Sequence, residues 1–387
     1  MATSATPDDQ RLSGPLAWID PAALRHNLAR VHQAAPHSRI WAVIKANAYG
    51  HGMEQAADAL DRADGFAVAR VAEALRLRRH GVRQPILVLE GIGDGAELDA
   101  ATAGRLTLVL HDSWQLEQIV AFLGRQPAPL AERLPLLRVW LKVDTGMGRL
   151  GVAASAVAGL LERLAALAPA VAVEGLMTHL ANADDPGHAL TPAQCEQAHA
   201  LAARHPLPLS IGNSAGLLAH PRARTDWVRP GIMLYGGTPL LTATAAGLDL
   251  RPAMTLTSPL IAVRTLRRDA TVGYGSSYRC PEEMPVGIVA IGYADGYPRH
   301  TPGGTPMLIR GQRAPLIGRV SMDMIAVDLR TVPAAAVGDP VTLWGAGLPV
   351  EEIAAQVGTI NYELLCRLSA RVRLCYPTPT TAPGQTP

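Results

Sequence analysis

Only two lysines, Lys45 and Lys142, stand among the 35 basic residues of this 387-residue chain; the other 33 are arginines. Arginine keeps its charge because its pKa lies above ~12, whereas a desolvated lysine can lose its proton and act as nucleophile, Schiff-base former or general base. An arginine bias that happened to spare two positions is the bland reading, and amine chemistry at one of them is the sharper one. Lys45 closes the apolar run from Ile40, and Lys142 lies with Asp144 near the end of a run from Val139. His179 closes a run that begins at Val171, Asn213 and Ser214 follow a run ending at Ile211, and Arg229 lies within one that begins at Trp227. Any of these could be an ordinary rim or core group, and a lone histidine such as His179 is as readily a satisfied core residue. Their recurrence where successive runs end is what points to a single site.

The elements that would position them alternate. Strand-like runs at Ile40–Lys45, Gly65–Ala69, Pro85–Glu90, Leu106–His111, Val139–Asp144, Val171–His179, Leu207–Ile211 and Trp227–Leu234 are separated by helical patterns such as Pro21–Ala34, Ala72–His80 and Pro192–His205. Asp20 before Pro21 reads as an N-cap with proline at the first helical position. Eight strand-helix units match a parallel (β/α)8 barrel of the TIM type, whose reactive groups sit at the C-terminal ends of the strands. A doubly wound open sheet is the rival. Beyond about Leu250 closely spaced strands with Gly and Pro turns (Met254–Leu266, Pro285–Ile291, Pro306–Arg310, Ala314–Val320, Ile325–Leu329, Pro340–Trp344) predict a mainly β C-terminal domain, interrupted by helical stretches at Val350–Gly358 and near Tyr362. The expected organisation is a flexible extension over 1–13, a barrel over 14–249, a β-domain over 250–376 and a loose Pro/Thr-rich tail over 377–387.

Composition narrows the partners. A net charge of +2 without a run of five like charges gives no footprint for nucleic acid or an anionic membrane, and no uncharged apolar stretch approaches the ~20 residues of a membrane span. Cys195, Cys280, Cys366 and Cys375 lack CxxC pairing and close histidines, so neither a metal site nor a disulfide framework is expected. With no apolar core in residues 1–12, a secretory signal is not expected, and a reducing, cytoplasmic setting with a small-molecule partner fits best.

The segment Ala42-Val43-Ile44-Lys45-Ala46-Asn47-Ala48-Tyr49-Gly50-His51-Gly52 resembles the lysine motif of alanine racemases. Lys142-Val143-Asp144-Thr145-Gly146-Met147-Gly148-Arg149, Thr178-His179, Asn213-Ser214-Ala215 and Arg229-Pro230-Gly231-Ile232 extend the likeness. So do Gly273-Tyr274-Gly275, Tyr293-Ala294-Asp295-Gly296, Ser321-Met322-Asp323 and Asn361-Tyr362-Glu363, in the family's order over about residues 15–376. Ser321 is a mild departure, because some members carry cysteine there.

The resemblance implies pyridoxal 5'-phosphate linked to Lys45, and interconversion of L-alanine and D-alanine. Inversion needs an acid-base on each face of Cα, since one group that removes and returns a proton on the same side restores the starting configuration. Lys45 and, by the resemblance, Tyr274 are those two. A free tyrosine has a pKa of ~10 and needs neighbours to lower it; His179 and Arg229 would form that network toward the pyridine nitrogen. An always-charged Arg229 there donates a hydrogen bond without readily yielding a proton, which would keep the ring unprotonated and restrain transamination. Tyr49, Ser214, Gly231, Ile232 and Tyr362 would bind the phosphate, with Ser214 as a plain N-cap the compatible alternative. Arg149 and the Met322 amide would take the substrate carboxylate, and Tyr293 with Tyr362 would narrow the entrance. Lys142 is left with two readings, a carbamate that holds Arg149 or a simple ion pair with Asp144.

The family further implies a homodimer in which Tyr274 and Met322 reach across the interface, and a role in peptidoglycan precursor supply or in alanine catabolism. A racemase of broader specificity, a non-catalytic pyridoxal-phosphate carrier and a related decarboxylase are the rivals. The predicted β-domain and Tyr274 speak against the carrier, and Arg229, where an acidic group would be expected, speaks against the decarboxylase.

Overall fold

A computed structural model describes residues 14–126 and 136–376, so the expected extension and tail lie outside the described residues. These residues form two compact units, one of residues 24–251 and one joining residues 14–23 to 252–376. No helix among them is long and apolar enough to cross a membrane.

The chain opens with β1 (Leu16–Ile19), which the sequence reading includes in the barrel. It belongs instead to the second unit, because its backbone groups pair antiparallel with β10 (Met254–Leu266) and parallel with β18 (Arg373–Cys375). The helix Pro21–Ala34 follows, and the Asp20 carboxylate accepts from the Ala22 amide as an N-cap should.

In the first unit β2 (Arg39–Val43), β3 (Gly65–Val68), β4 (Ile86–Val88), β5 (Thr107–Leu110), β6 (Leu137–Lys142), β7 (Val171–Met177), β8 (Leu209–Asn213) and β9 (Trp227–Arg229) form a closed parallel barrel. Pairing of β9 with β2 completes the ring and removes the open-sheet alternative. β3, β4 and β5 are buried at every position, as parallel strands covered on both faces must be. Three tryptophans plug the barrel. Trp41 stacks on Trp227 at 4.2 Å, and Trp140 meets the same ring edge-on at 6.3 Å. Glycine makes room for two of them, since a Cβ at Gly65 would stand 2.3 Å from the Trp41 ring and one at Gly175 2.4 Å from that of Trp140.

Several boundaries shift from expectation. β2 stops at Val43, before Lys45; β9 stops at Arg229, because Pro230 has no N–H to donate and Ile232–Tyr235 coils into a 3₁₀ turn.

The second unit is mainly β, with β11 (Thr271–Val272), β12 (Tyr278–Arg279), β13 (Met284–Val289), β14 (Pro306–Ile309), β15 (Gln312–Ile317), β16 (Ile325–Asp328) and β17 (Pro340–Trp344). The sheet runs β13-β16-β15-β14-β17-β10-β1-β18, and because β10 also pairs with β13, six strands return on themselves in a ring.

Candidate active site

The residues singled out from sequence within the barrel unit gather at the C-terminal ends of its strands. Lys45 follows β2, Lys142 ends β6, His179 lies just past β7, Asn213 ends β8 and Arg229 ends β9.

Lys45 begins an unusual piece of backbone. Ala46, Asn47, Ala48 and Tyr49 all have φ between 53° and 55°, a full left-handed turn without glycine. Each left-handed L-residue costs roughly 1–2 kcal/mol, so four in succession cost on the order of 4–8 kcal/mol, comparable with the entire stability of a typical domain. Such a turn does not persist on its own hydrogen bonds. Its anchors are the Glu73 carboxylate, which accepts from the Ala46 amide at 2.8 Å, the Asn47 side chain, which accepts from the Met53 amide at 3.1 Å, and the His51 ring. Nδ1 of His51 lies 3.1 Å from the Ala48 carbonyl and 2.9 Å from that of Tyr49.

On the neighbouring strand β9 Arg229 is buried, with Nη1 donating to Ser210 Oγ and Nη2 to the Thr178 and Ile211 carbonyls. Burial lowers its pKa to about 10, which still leaves it charged at neutral pH. His179 is held well below the usual imidazole range, first by burial and then by the cations Arg229, Lys142, Arg149 and Lys45, so its ring is neutral. Lys142 is pushed down to about 8 by burial and then by Arg229, Arg149 and Lys45, against the smaller opposing pull of Asp144. That carboxylate is engaged elsewhere: Asp144 Oδ1 accepts from the amides of Gly146, Met147 and Gly148 at 2.9–3.1 Å, which shapes the loop leading to Arg149. Four cations therefore act on one small region, a field that favours an anionic occupant.

A donor-rich corner completes this unit. Ser214 is not the N-cap of its helix; Asn213 is, its side chain accepting from the Gly216 amide. The Ser214 hydroxyl instead accepts from the Gly231 amide at 2.8 Å. A Cβ on Gly231 would fall 2.4 Å from the Tyr49 hydroxyl, so only glycine lets backbone and phenol approach this closely. Tyr49, Ser214, Gly231 and the adjoining Ile232 are thus brought together.

In the second unit Tyr274 occupies a turn between Gly273 and Gly275, both at φ 72°, and is 70% exposed. Tyr293 and Met322 lie on two loops stitched by Tyr293 N to Ser321 O and Ala294 N to Met322 O. Buried Asp295 accepts from the Gly292 amide and pairs with Arg371, which also pairs with Asp323. Tyr362 sits in the helix Asn361–Cys366.

Sequence reading missed Glu73, His51 and Gln194 as organisers of the site. Gln194 donates to the His179 carbonyl and Thr145 Oγ1, and accepts from the Ala181 amide. Only Glu73 carried a signal, an acid three residues into a helical pattern.

A closed parallel barrel with an amine, a buried guanidinium and a corner of hydroxyl and amide groups at its C-terminal rim, in a chain that also has a mainly β unit, defines a class of barrel enzymes handling anionic substrates or cofactors. Comparison with known proteins makes this specific. Residues 19–239 match the alanine racemase N-terminal domain and residues 253–376 the alanine racemase C-terminal domain. The chain is 49% identical over 358 residues to an alanine racemase of Nitrosococcus oceani, covering 92% of this chain and 98% of that protein. It is 51% identical over 362 residues to one of Thioalkalivibrio sulfidiphilus, covering 93% and 98%. The biosynthetic alanine racemase of Pseudomonas aeruginosa superposes with a TM-score of 0.89 at 45% identity, covering 95% of this chain and 100% of that one. The alanine racemase of Bartonella henselae, solved with covalently bound pyridoxal phosphate, gives 0.84 at 28% identity over 94% and 99%. The chain belongs to the alanine racemase family and is a racemase.

Proposed function

We propose that this protein interconverts L-alanine and D-alanine as a homodimer, with pyridoxal 5'-phosphate held by Lys45. The observation that carries the reading is the convergence of Lys45, charged Arg229, neutral His179 and the Tyr49–Ser214–Gly231 corner at one rim. These residues fit the cofactor: Ser214 Oγ, the Gly231 and Ile232 amides and the Tyr49 hydroxyl suit a phosphate, and Arg229 suits an unprotonated ring nitrogen. When bound, the cofactor supplies an electron sink that makes the substrate's Cα–H acidic.

Lys45 Nζ then moves a proton at one face of Cα, and Tyr274 Oη of the partner subunit moves one at the other. Arg229, fixed by Ser210 and two carbonyls, would hold the cofactor's ring nitrogen by donating a hydrogen bond while keeping its own proton, which would leave the ring unprotonated and favour return of a proton to Cα over transamination. Arg149, presented by the Asp144-ordered loop, and the Met322 amide orient the substrate carboxylate, while Tyr293 and Tyr362 restrict the entrance to small side chains. The cations around Lys142, and the commitment of Asp144 to loop amides, favour the carbamate over the ion pair at Lys142. A cytoplasmic supply of D-alanine, for peptidoglycan or as a step of catabolism, is the setting that fits.

Purified holoenzyme incubated with L-alanine or L-serine in deuterated water, followed by chiral analysis, tests the proposal. Inversion of alanine with deuterium at Cα supports it; turnover of serine at an equal rate would select the broader-specificity reading, and binding without inversion the carrier.

A further inference from the structure

The left-handed turn after Lys45 has anchors that belong neither to the cofactor corner nor to the acid-base pair. His51 is fully buried, and burial lowers its pKa to about 4, so its ring is neutral with one proton. Two carbonyl oxygens, of Ala48 and Tyr49, face Nδ1, and since neither can donate, that proton sits on Nδ1 and bridges both. The His51 ring also lies against Tyr235, 4.6 Å between centroids. Tyr235 stacks on Tyr49 at 4.7 Å and donates from its hydroxyl to the Val43 carbonyl, two residues before Lys45. Glu73 works from the other side. One carboxylate oxygen accepts from the Ala46 amide at 2.8 Å, and the other from the Ala69 and Arg70 amides at 2.8 and 3.2 Å, which ties the turn to the end of β3.

We infer that His51 and Glu73 are positioning residues: together they hold Ala46 to Tyr49 left-handed, and so fix where Lys45 Nζ and the Tyr49 hydroxyl stand. The inference rests on the reading that Lys45 holds the cofactor. It does not follow from packing alone, because an L-peptide released from these bonds moves toward right-handed or extended backbone. Lys45 and Tyr49, at the two ends of the turn, would then separate from their partners together.

Two substitutions break the anchors and one keeps them. His51→Leu removes the Nδ1 donor, whereas His51→Asn places an amide N–H where Nδ1 was. Glu73→Gln leaves only one accepting oxygen for two sets of amides. For the holoenzyme, His51→Leu and Glu73→Gln should lose cofactor about tenfold faster on dialysis, followed by its absorbance. Their kcat should fall about tenfold to a hundredfold, with KM changing less than about threefold, as misplacement of a reacting group by ~1 Å does. His51→Asn should stay within about threefold of the parent on both measures.

Exposed Ala46 supplies the discriminating rescue. Adding Ala46→Gly, which removes the Cβ that resists positive φ, should recover part of the cofactor retention in the Leu and Gln variants. A lesion of packing alone would not respond. Wild-type loss rates in His51→Leu and Glu73→Gln, or lesions indifferent to Ala46→Gly, would overturn the inference. Should both anchor variants fail to fold, Ala46→Val decides on its own: a β-branched residue at this φ should speed cofactor loss, and an unchanged rate counts against the proposal. Failure of unmodified enzyme to bind cofactor at Lys45 overturns the functional reading instead, so the two outcomes are separable.

Discussion

The barrel rim and the loops of the second unit solve different problems with similar residue types. At the rim Lys142, His179 and Arg229 are buried or half-buried, burial lowers the pKa of all three and neighbouring cations lower those of Lys142 and His179 further, and they stand at or just past strand ends. In the second unit Tyr274, Tyr293 and Met322 are 70%, 40% and 52% exposed, and their turns are set by backbone bonds and by the Asp295–Arg371–Asp323 ion pairs. A rim of this kind is organised before anything binds. Exposed groups on ordered loops are suited to completing a site that another surface brings to them, which agrees with the proposed homodimer.

The largest test of that contrast is Lys45→Ala, which removes the rim amine proposed to hold the cofactor and to serve one face of Cα: racemisation should fall about 10⁴-fold or more, measured by chiral chromatography. Tyr274→Phe removes a group whose only proposed task is one face of Cα. Racemisation should drop about 10²- to 10⁴-fold, while deuterium still enters Cα of one enantiomer but not the other. Loss of exchange from both would show that Tyr274 is not face-specific. Arg229→Glu should cost about a hundredfold in racemisation and raise pyruvate formation at the same time; an equal fall in both activities contradicts its role at the ring nitrogen.

The shifted lysine gives a pH and CO2 test. With a pKa of about 8, Lys142 is partly neutral near pH 8, and only the neutral amine combines with CO2. Carbon-13 NMR in labelled bicarbonate should show one carbamate resonance, absent from Lys142→Met. The sign for stability is also fixed: a lysine with folded pKa below its unfolded value binds fewer protons when folded. If unmodified, it should therefore raise stability as pH climbs from about 8 toward 10.5, and Lys142→Met should flatten that rise in urea melts. The smallest effect lies far from the chemistry. Gly65→Ala drives a methyl against the Trp41 ring and should cost about 1–3 kcal/mol, read by the same melts.

Much of this was legible because it is written in short-range pattern. The barrel strands are contiguous apolar runs, and β10 and β17 have the bounds that the sequence predicts for them. Helix Gly95–Ala103 escaped notice since its alanines and small polar residues make no apolar stripe, although Asp94 caps it through the Glu97 amide. β11 and β12, which flank Tyr274, are two residues each and too short for a period to show. The turn after Lys45 is the deeper miss. Ala, Asn, Ala and Tyr carry no glycine signal for positive φ, and the carboxylate that holds their first amide arrives 27 residues later. Pairwise geometry of that range is not a propensity of any segment, and sequence placed Lys45 as the last residue of a strand that in fact stops at Val43.

With just two lysines in the chain, the central claim reduces to a choice between positions. Holoenzyme reduced with borohydride, digested and mapped by mass spectrometry should carry the pyridoxyl group on the peptide containing Lys45. Label on the Lys142 peptide, or on neither, would contradict the account.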